Sequence, residues 1–64
     1  MRFSKVKVKT ALLLTGKTQS ELARSLRLSR RWVGAAFNGY SISEKTANHI
    51  AAALGVTVED LKED

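Results

Sequence analysis

The sequence predicts an all-α domain of five short helices. Apolar residues recur at helical spacing in successive stretches, Ser or Thr stands where helices should start, and Gly where they should stop. A helix from Ser4 or Lys5 to Leu14 takes Ser4 as N-cap, turns Val8 and Leu12 inward and ends at Gly16. The period-two alternation Lys5-Val6-Lys7-Val8-Lys9 resembles a strand, but no turn signal separates it from the apolar run that follows. Thr18-Gln-Ser-Glu21 is a capping box opening a helix over 18–26 with Leu22, Ala23 and Leu26 on one face. After Arg27-Leu28, Ser29 caps a third helix, Arg30–Phe37, with Val33, Ala36 and Phe37 inward and Asn38-Gly39 at its end. Tyr40–Ser43 is a loop. A fourth helix runs from about Ser43 to Leu54 on Ala47, Ile50, Ala51 and Leu54, and Gly55 ends it. Thr57 caps a last short helix anchored by Val58 and Leu61.

Composition narrows the function. A chain of 64 residues makes one domain, and a domain that small buries only about 60% of its unfolded surface. There is no Cys and one His, His49, so disulfides, Cys-ligated zinc and paired-His sites are excluded. No nucleophile–base pair is evident, and Glu59, Asp60, Glu63 and Asp64 lack the spacing of a calcium loop. The expectation is no catalysis, no metal, no cofactor and no small-molecule ligand. The longest apolar run, Ala11–Leu14, is far short of a membrane span or a signal core, which points to a cytoplasmic protein without a membrane partner.

Charge is divided unevenly. Residues 1–40 hold nine Lys/Arg against one acid, and residues 41–64 hold two against five, so the halves carry +8 and −3, summing to +5. A basic lobe of this kind suits a polyanion. Residues 1–4 are expected as a flexible basic arm, whose neighbouring lysines either trail along a nucleic-acid backbone or stay disordered. Residues 62–64 are expected as a frayed acidic end.

Two short helices joined by a brief connection make a helix-turn-helix. Gln19–Gly39 reads Q-x-E-L-A-x-x-L-x-L-S-x-x-x-V-x-x-x-x-N-G, carried by Gln19, Glu21, Leu22, Ala23, Leu26, Leu28, Ser29, Val33, Asn38 and Gly39. That pattern resembles the Cro/C1-type helix-turn-helix family of phage repressors, Cro proteins and small bacterial regulators. Ala51–Leu61, A-A-A-L-G-V-T-V-E-D-L, resembles the family's terminal segment, so the likeness covers about residues 8–61. It implies a compact lambda-repressor-like domain with the helix-turn-helix at about 18–38. Two departures stand out. The usual turn Gly is Arg27, which in a left-handed conformation costs about 1 kcal/mol and could offer a cation to phosphate or be a tolerated change. Where many relatives pair Arg with Glu, this chain has Leu12 and Phe37, implying an apolar contact.

The resemblance places the N-terminal part of the third helix in the major groove of double-stranded DNA. With Val33 inward, Arg31 points almost directly out, with Gly34, Ala35 and Asn38 around it and Arg30 and Trp32 on opposite flanks. The family's base-reading positions fall on Ser29, Arg30, Arg31 and Ala35. Arg31 suits a bidentate contact to guanine, Arg30 either guanine or phosphate, and Ala35 a thymine methyl. Phosphate contacts are expected from Gln19 with the amides near Thr18, from Asn38 with the Gly39 amide, and from Lys17, Arg27, Tyr40 and Lys45. Trp32 either packs on the domain's flank or meets a sugar–phosphate strand. Gly34 permits close approach of DNA or of a neighbouring helix.

These expectations amount to a sequence-specific Cro-like repressor of phage or mobile-element origin, too small for a sensor domain. It would bind a pseudo-palindromic operator as a weak homodimer assembling chiefly on DNA, and the resemblance places the dimer surface in the helix four–five region. The alternative is an antitoxin-like or protein-interaction module that keeps the fold without reading bases, using Ile42, Val56 or Val58 as surface. Trp32-Val-Gly-Ala-Ala also resembles a stretch in cyanase's helical N-terminal domain, but cyanase's catalytic segment has no counterpart here.

Overall fold

The computed structural model describes residues 1–63. Its helices are α1 (Lys5–Thr15), α2 (Gln19–Leu26), α3 (Arg30–Phe37), α4 (Glu44–Leu54) and α5 (Val58–Leu61). Each opens on a hydroxyl. The Ser4, Thr18, Ser29, Ser43 and Thr57 side chains accept backbone N–H groups of their first turns, satisfying donors that lack a partner inside the helix. Thr18–Glu21 and Thr57–Asp60 are reciprocal capping boxes.

Three of the endings, those of α2, α3 and α4, share one device. Leu28, Tyr40 and Val56 each donate a backbone N–H to a carbonyl five residues back, of Ala23, Ala35 and Ala51. The residue before each sits in the left-handed region: Arg27 at φ 56°, Gly39 at φ 81° and Gly55 at φ 73°. This is the Schellman closure, which normally recruits Gly. Arg27 is the only non-glycine residue with positive φ among those described.

All five helices contribute to one core, which includes Val8, Leu12, Leu22, Val33, Phe37 and Ile50. Leu12 and Phe37 both belong to it, as the replacement of the familiar ion pair implies. Among the described residues no polar or charged side chain is buried, so the interior is held by apolar burial alone. α2 and α3 form the most extensive helix pair, which fixes one relative to the other.

The chain's first residues depart from expectation. Phe3 is fully buried, so residues 1–4 form a docked strand-like segment. The Ser4 N–H donates to Leu61 O at 2.8 Å, the Ile42 N–H to Met1 O at 2.7 Å, and the Glu63 N–H to Arg2 O at 3.1 Å. Phe3 and Lys62 form an antiparallel bridge. Lys62 and Glu63 are thus tied in, unlike the frayed end expected of residues 62–64, whose last member, Asp64, lies outside the described residues. Ile42, expected as possible interaction surface, is buried beneath this segment's hydrogen bonds, and Val56 and Val58 are half-buried against the core.

Candidate nucleic-acid interface

α3 presents its N-terminal half and one long side to solvent. Val33, Ala36 and Phe37 anchor the opposite side in the core, so the 100° step per residue turns Arg31 outward. Arg30, Arg31, Gly34, Ala35, Asn38 and Tyr40 line one open depression along this face. Arg31 is exposed and has no hydrogen-bond or ion-pair partner among the described residues. Ser29 uses its hydroxyl oxygen to accept the Trp32 N–H at 3.3 Å, which leaves its O–H hydrogen to donate.

Arg30 behaves differently. Its Nε donates to Ser20 Oγ at 3.1 Å and its Nη1 to Gln19 Oε1 at 2.9 Å. The guanidinium therefore folds back over the start of α2, and only Arg31 projects freely as the helical wheel expects. The contact joins a residue expected on bases to one expected on phosphate. It also occupies the carbonyl end of the Gln19 amide, leaving the NH2 end to donate. A wheel drawn for one helix cannot reveal this link, because it depends on how α2 and α3 cross.

Not every expected phosphate donor is free. The Thr18 N–H donates to Glu21 Oε1 at 3.0 Å, and the Glu21 N–H donates to Thr18 Oγ1 at 3.1 Å. The Thr18 amide is therefore engaged, and a carboxylate stands beside the site. Hydrogen bonds from Thr18, its backbone N–H first and its side chain second, hold the Glu21 carboxyl below its ordinary pKa, with smaller help from Lys17 and Arg24. The Gly39 N–H donates to Ala36 O at 3.3 Å within the Schellman closure, so that amide also has a partner. The Asn38 side chain beside it has none and is exposed. Lys17, Arg27, Tyr40 and Lys45 are all exposed.

Trp32 does not pack away on the flank: it is 59% exposed. One side adjoins Arg31 and Ala35, and the other adjoins a recess lined by Leu28, Ser41, Ile42, Ser43 and Thr46. Gly34 has only the Arg30 guanidinium near the position a Cβ would take, at 3.5 Å. No neighbouring helix crowds it, so the open side of Gly34 belongs to the depression.

No group of His, Asp or Glu among the described residues is arranged to hold a metal ion; His49 is exposed. No helix is long and apolar enough to cross a membrane. No curated protein and no solved structure matches the chain. A family model described as Helix-turn-helix matches residues 8–61, from within α1 to the end of α5. That span covers the capped α2–α3 pair, its exposed arginine face and the closing helices, so the chain belongs to the Cro/C1-type helix-turn-helix family of DNA-binding domains.

Proposed function

We propose that this protein is a sequence-specific double-stranded DNA-binding regulator, a small Cro-like repressor of the kind carried by phages and mobile elements. One observation carries the reading: the unpartnered, exposed Arg31 at the centre of the outward face of α3. A guanidinium there contributes nothing to packing, and its planar fork of donors matches O6 and N7 of guanine. Ser29 and Ala35 flank it as further base-edge contacts. Gln19, Asn38, Lys17, Arg27, Tyr40 and Lys45 serve the phosphates, together with the Thr18 hydroxyl. Arg30 orients Gln19 and adds charge toward the same strand.

A module of this size buries only about 600–1,000 Å² on DNA. Two copies on a pseudo-palindromic operator, with half-sites about one helical turn apart, would supply the remaining affinity. The family resemblance supports the repressor role.

Selection from a random duplex library, read by sequencing, gives the operator. Arg31→Ala should then lose about 1–3 kcal/mol of discrimination at one base pair, roughly 5- to 150-fold, while retaining most nonspecific affinity. Gln19→Ala should weaken every sequence alike and lower the salt dependence of binding. An Arg31→Ala variant with unchanged sequence preference would refute the base-reading assignment.

A further inference from the structure

The α2–α3 surface carries its phosphate-binding cations unevenly. Beside Gln19, at the start of α2, stand Lys17 and the Arg30 guanidinium. At the other end of the depression Asn38 and Tyr40 are neutral, and the last turn of α3 has no base. A phosphate at that end would meet hydrogen-bond donors without a positive charge from the helix-turn-helix.

α1 brings a cation to that place. Lys5 is exposed, yet its Cγ and Cε lie 3.6 and 3.4 Å from the position a Cβ on Gly39 would take. Its stem therefore runs along the bare α-carbon of Gly39, and its ammonium sits one bond beyond Cε, beside the residue that separates Asn38 from Tyr40. The ammonium has no hydrogen-bond or ion-pair partner among the described residues. A packed stem with a wet head is how lysine sits at a surface. The backbone beneath it is fixed. Phe3 and Val8, on either side in sequence, are fully buried, and Phe3 O lies 3.9 Å from the same Cβ position on Gly39. Lys5 is thus held against the end of α3 and does not trail on a loose arm.

Stability does not account for a cation there. Lys5 is the first residue of α1, where the helix dipole disfavours positive charge, and the first turn of α1 has no acidic residue to offset it. Lys9, one turn further along the same side, adds a like charge at the spacing where like charges repel.

The geometry points to Lys5 as a phosphate-binding residue, whose ammonium pairs with a DNA phosphate that also receives the Asn38 amide and the Tyr40 hydroxyl. This contact rests on the proposed DNA-binding function and extends the interface to α1, outside the helix-turn-helix. Gly39 then serves twice: its positive φ closes α3, and its missing side chain seats the lysine. A point charge on a flexible stem suits a phosphate. A backbone contact of this kind fixes how α3 lies on the duplex and carries no sequence information.

Fluorescence anisotropy with the full chain, on the selected operator and on random-sequence duplex, tests the contact. Lys5→Gln should weaken both alike. Its association constant should depend less on salt, by about 0.9 in the slope of log K against log salt, so its deficit narrows about 3.5-fold between 50 and 200 mM. Lys5→Arg should keep the wild-type slope. Lys7→Gln removes the same charge about 200° round the helix, where Lys7 faces α4 and α5 and donates to Lys62 O at 3.2 Å. Its slope should stay close to that of the wild type. The urea midpoint of Lys5→Gln should equal or exceed the wild-type value, because a charge opposed by the helix dipole is gone. Equal slopes for Lys5→Gln and Lys7→Gln overturn the assignment. So does a deficit confined to the operator, or one that accompanies a fallen midpoint. In each of these cases the wild type still binds DNA. A wild type that binds no duplex instead removes the DNA-binding reading itself, and this contact with it.

Discussion

Arg27 holds a left-handed conformation, φ 56° and ψ 32°, that Gly adopts without penalty. Arg27→Gly should stabilise the domain by about 1 kcal/mol, raising the midpoint of thermal unfolding by about 4–8 °C for a chain of this length. If the arginine also meets phosphate, the same variant will show a shallower salt dependence of DNA binding, and the two measurements together say why a side chain stands there. Trp32 supports a second test, since it is the sole tryptophan and 59% exposed. With a strand lying across it, its emission should shift to shorter wavelength and become protected from iodide quenching when operator is added. Unchanged emission at saturating operator would remove Trp32 from the interface. At this scale the sequence was partly legible. Arg31 could be placed by periodicity because its neighbours Val33 and Phe37 anchor the helix. Arg30 could not, because the groups that hold it, Gln19 and Ser20, lie on another helix.

The helices were legible almost to the residue because their boundaries are chemically marked. Hydroxyl caps accept first-turn amides in all five, and left-handed residues close the ends of α1 to α4 through local hydrogen bonds. Such contacts span three to five residues and need no tertiary information. The α2 capping box is the most consequential, since it begins the helix-turn-helix. Thr18→Ala should cost about 1 kcal/mol in a denaturant titration. The box also carries a pH signature. Glu21 and Asp60 both have carboxyls held below their ordinary values, chiefly by backbone N–H donors of Thr18 and Thr57. Depressed carboxylates stabilise the fold above the unfolded-state pKa, and that contribution fades as pH falls through the lowered native values. Stability should therefore be flat near neutrality and decline below the ordinary carboxylate range. Glu21→Gln should flatten part of that decline while keeping the box geometry. An acid titration identical for wild type and variant would show that Glu21 contributes nothing to it.

What the sequence concealed at the scale of the whole molecule is the docking of its first residues. Phe3 sits among basic residues and has no periodic companion, so nothing local predicts burial. Its place comes from pairing with Lys62 and from the cover it gives the core. Phe3→Ala should cost about 3–5 kcal/mol, most of what a small single-core domain possesses. Urea unfolding read by circular dichroism should show the variant largely unfolded at room temperature, whereas Arg2→Ala should change stability by no more than about 0.5 kcal/mol. A variant that unfolds like the wild type would mean that the segment is not part of the core. α1 was legible as a helix, but how much of its apolar surface stays uncovered depends on where α4 and α5 come to rest.

The backbone contact between Arg2 and Glu63 has a practical corollary. Paired antiparallel strands bring their α-carbons to about 5 Å, so a few added residues could join one end of the polypeptide to the other and close it into a ring. Cut afresh in the link between α4 and α5, outside the helix-turn-helix, such a ring would give a permuted molecule whose free ends belong to neither α2 nor α3. Tags or tethers could then be attached there without crowding the arginine face.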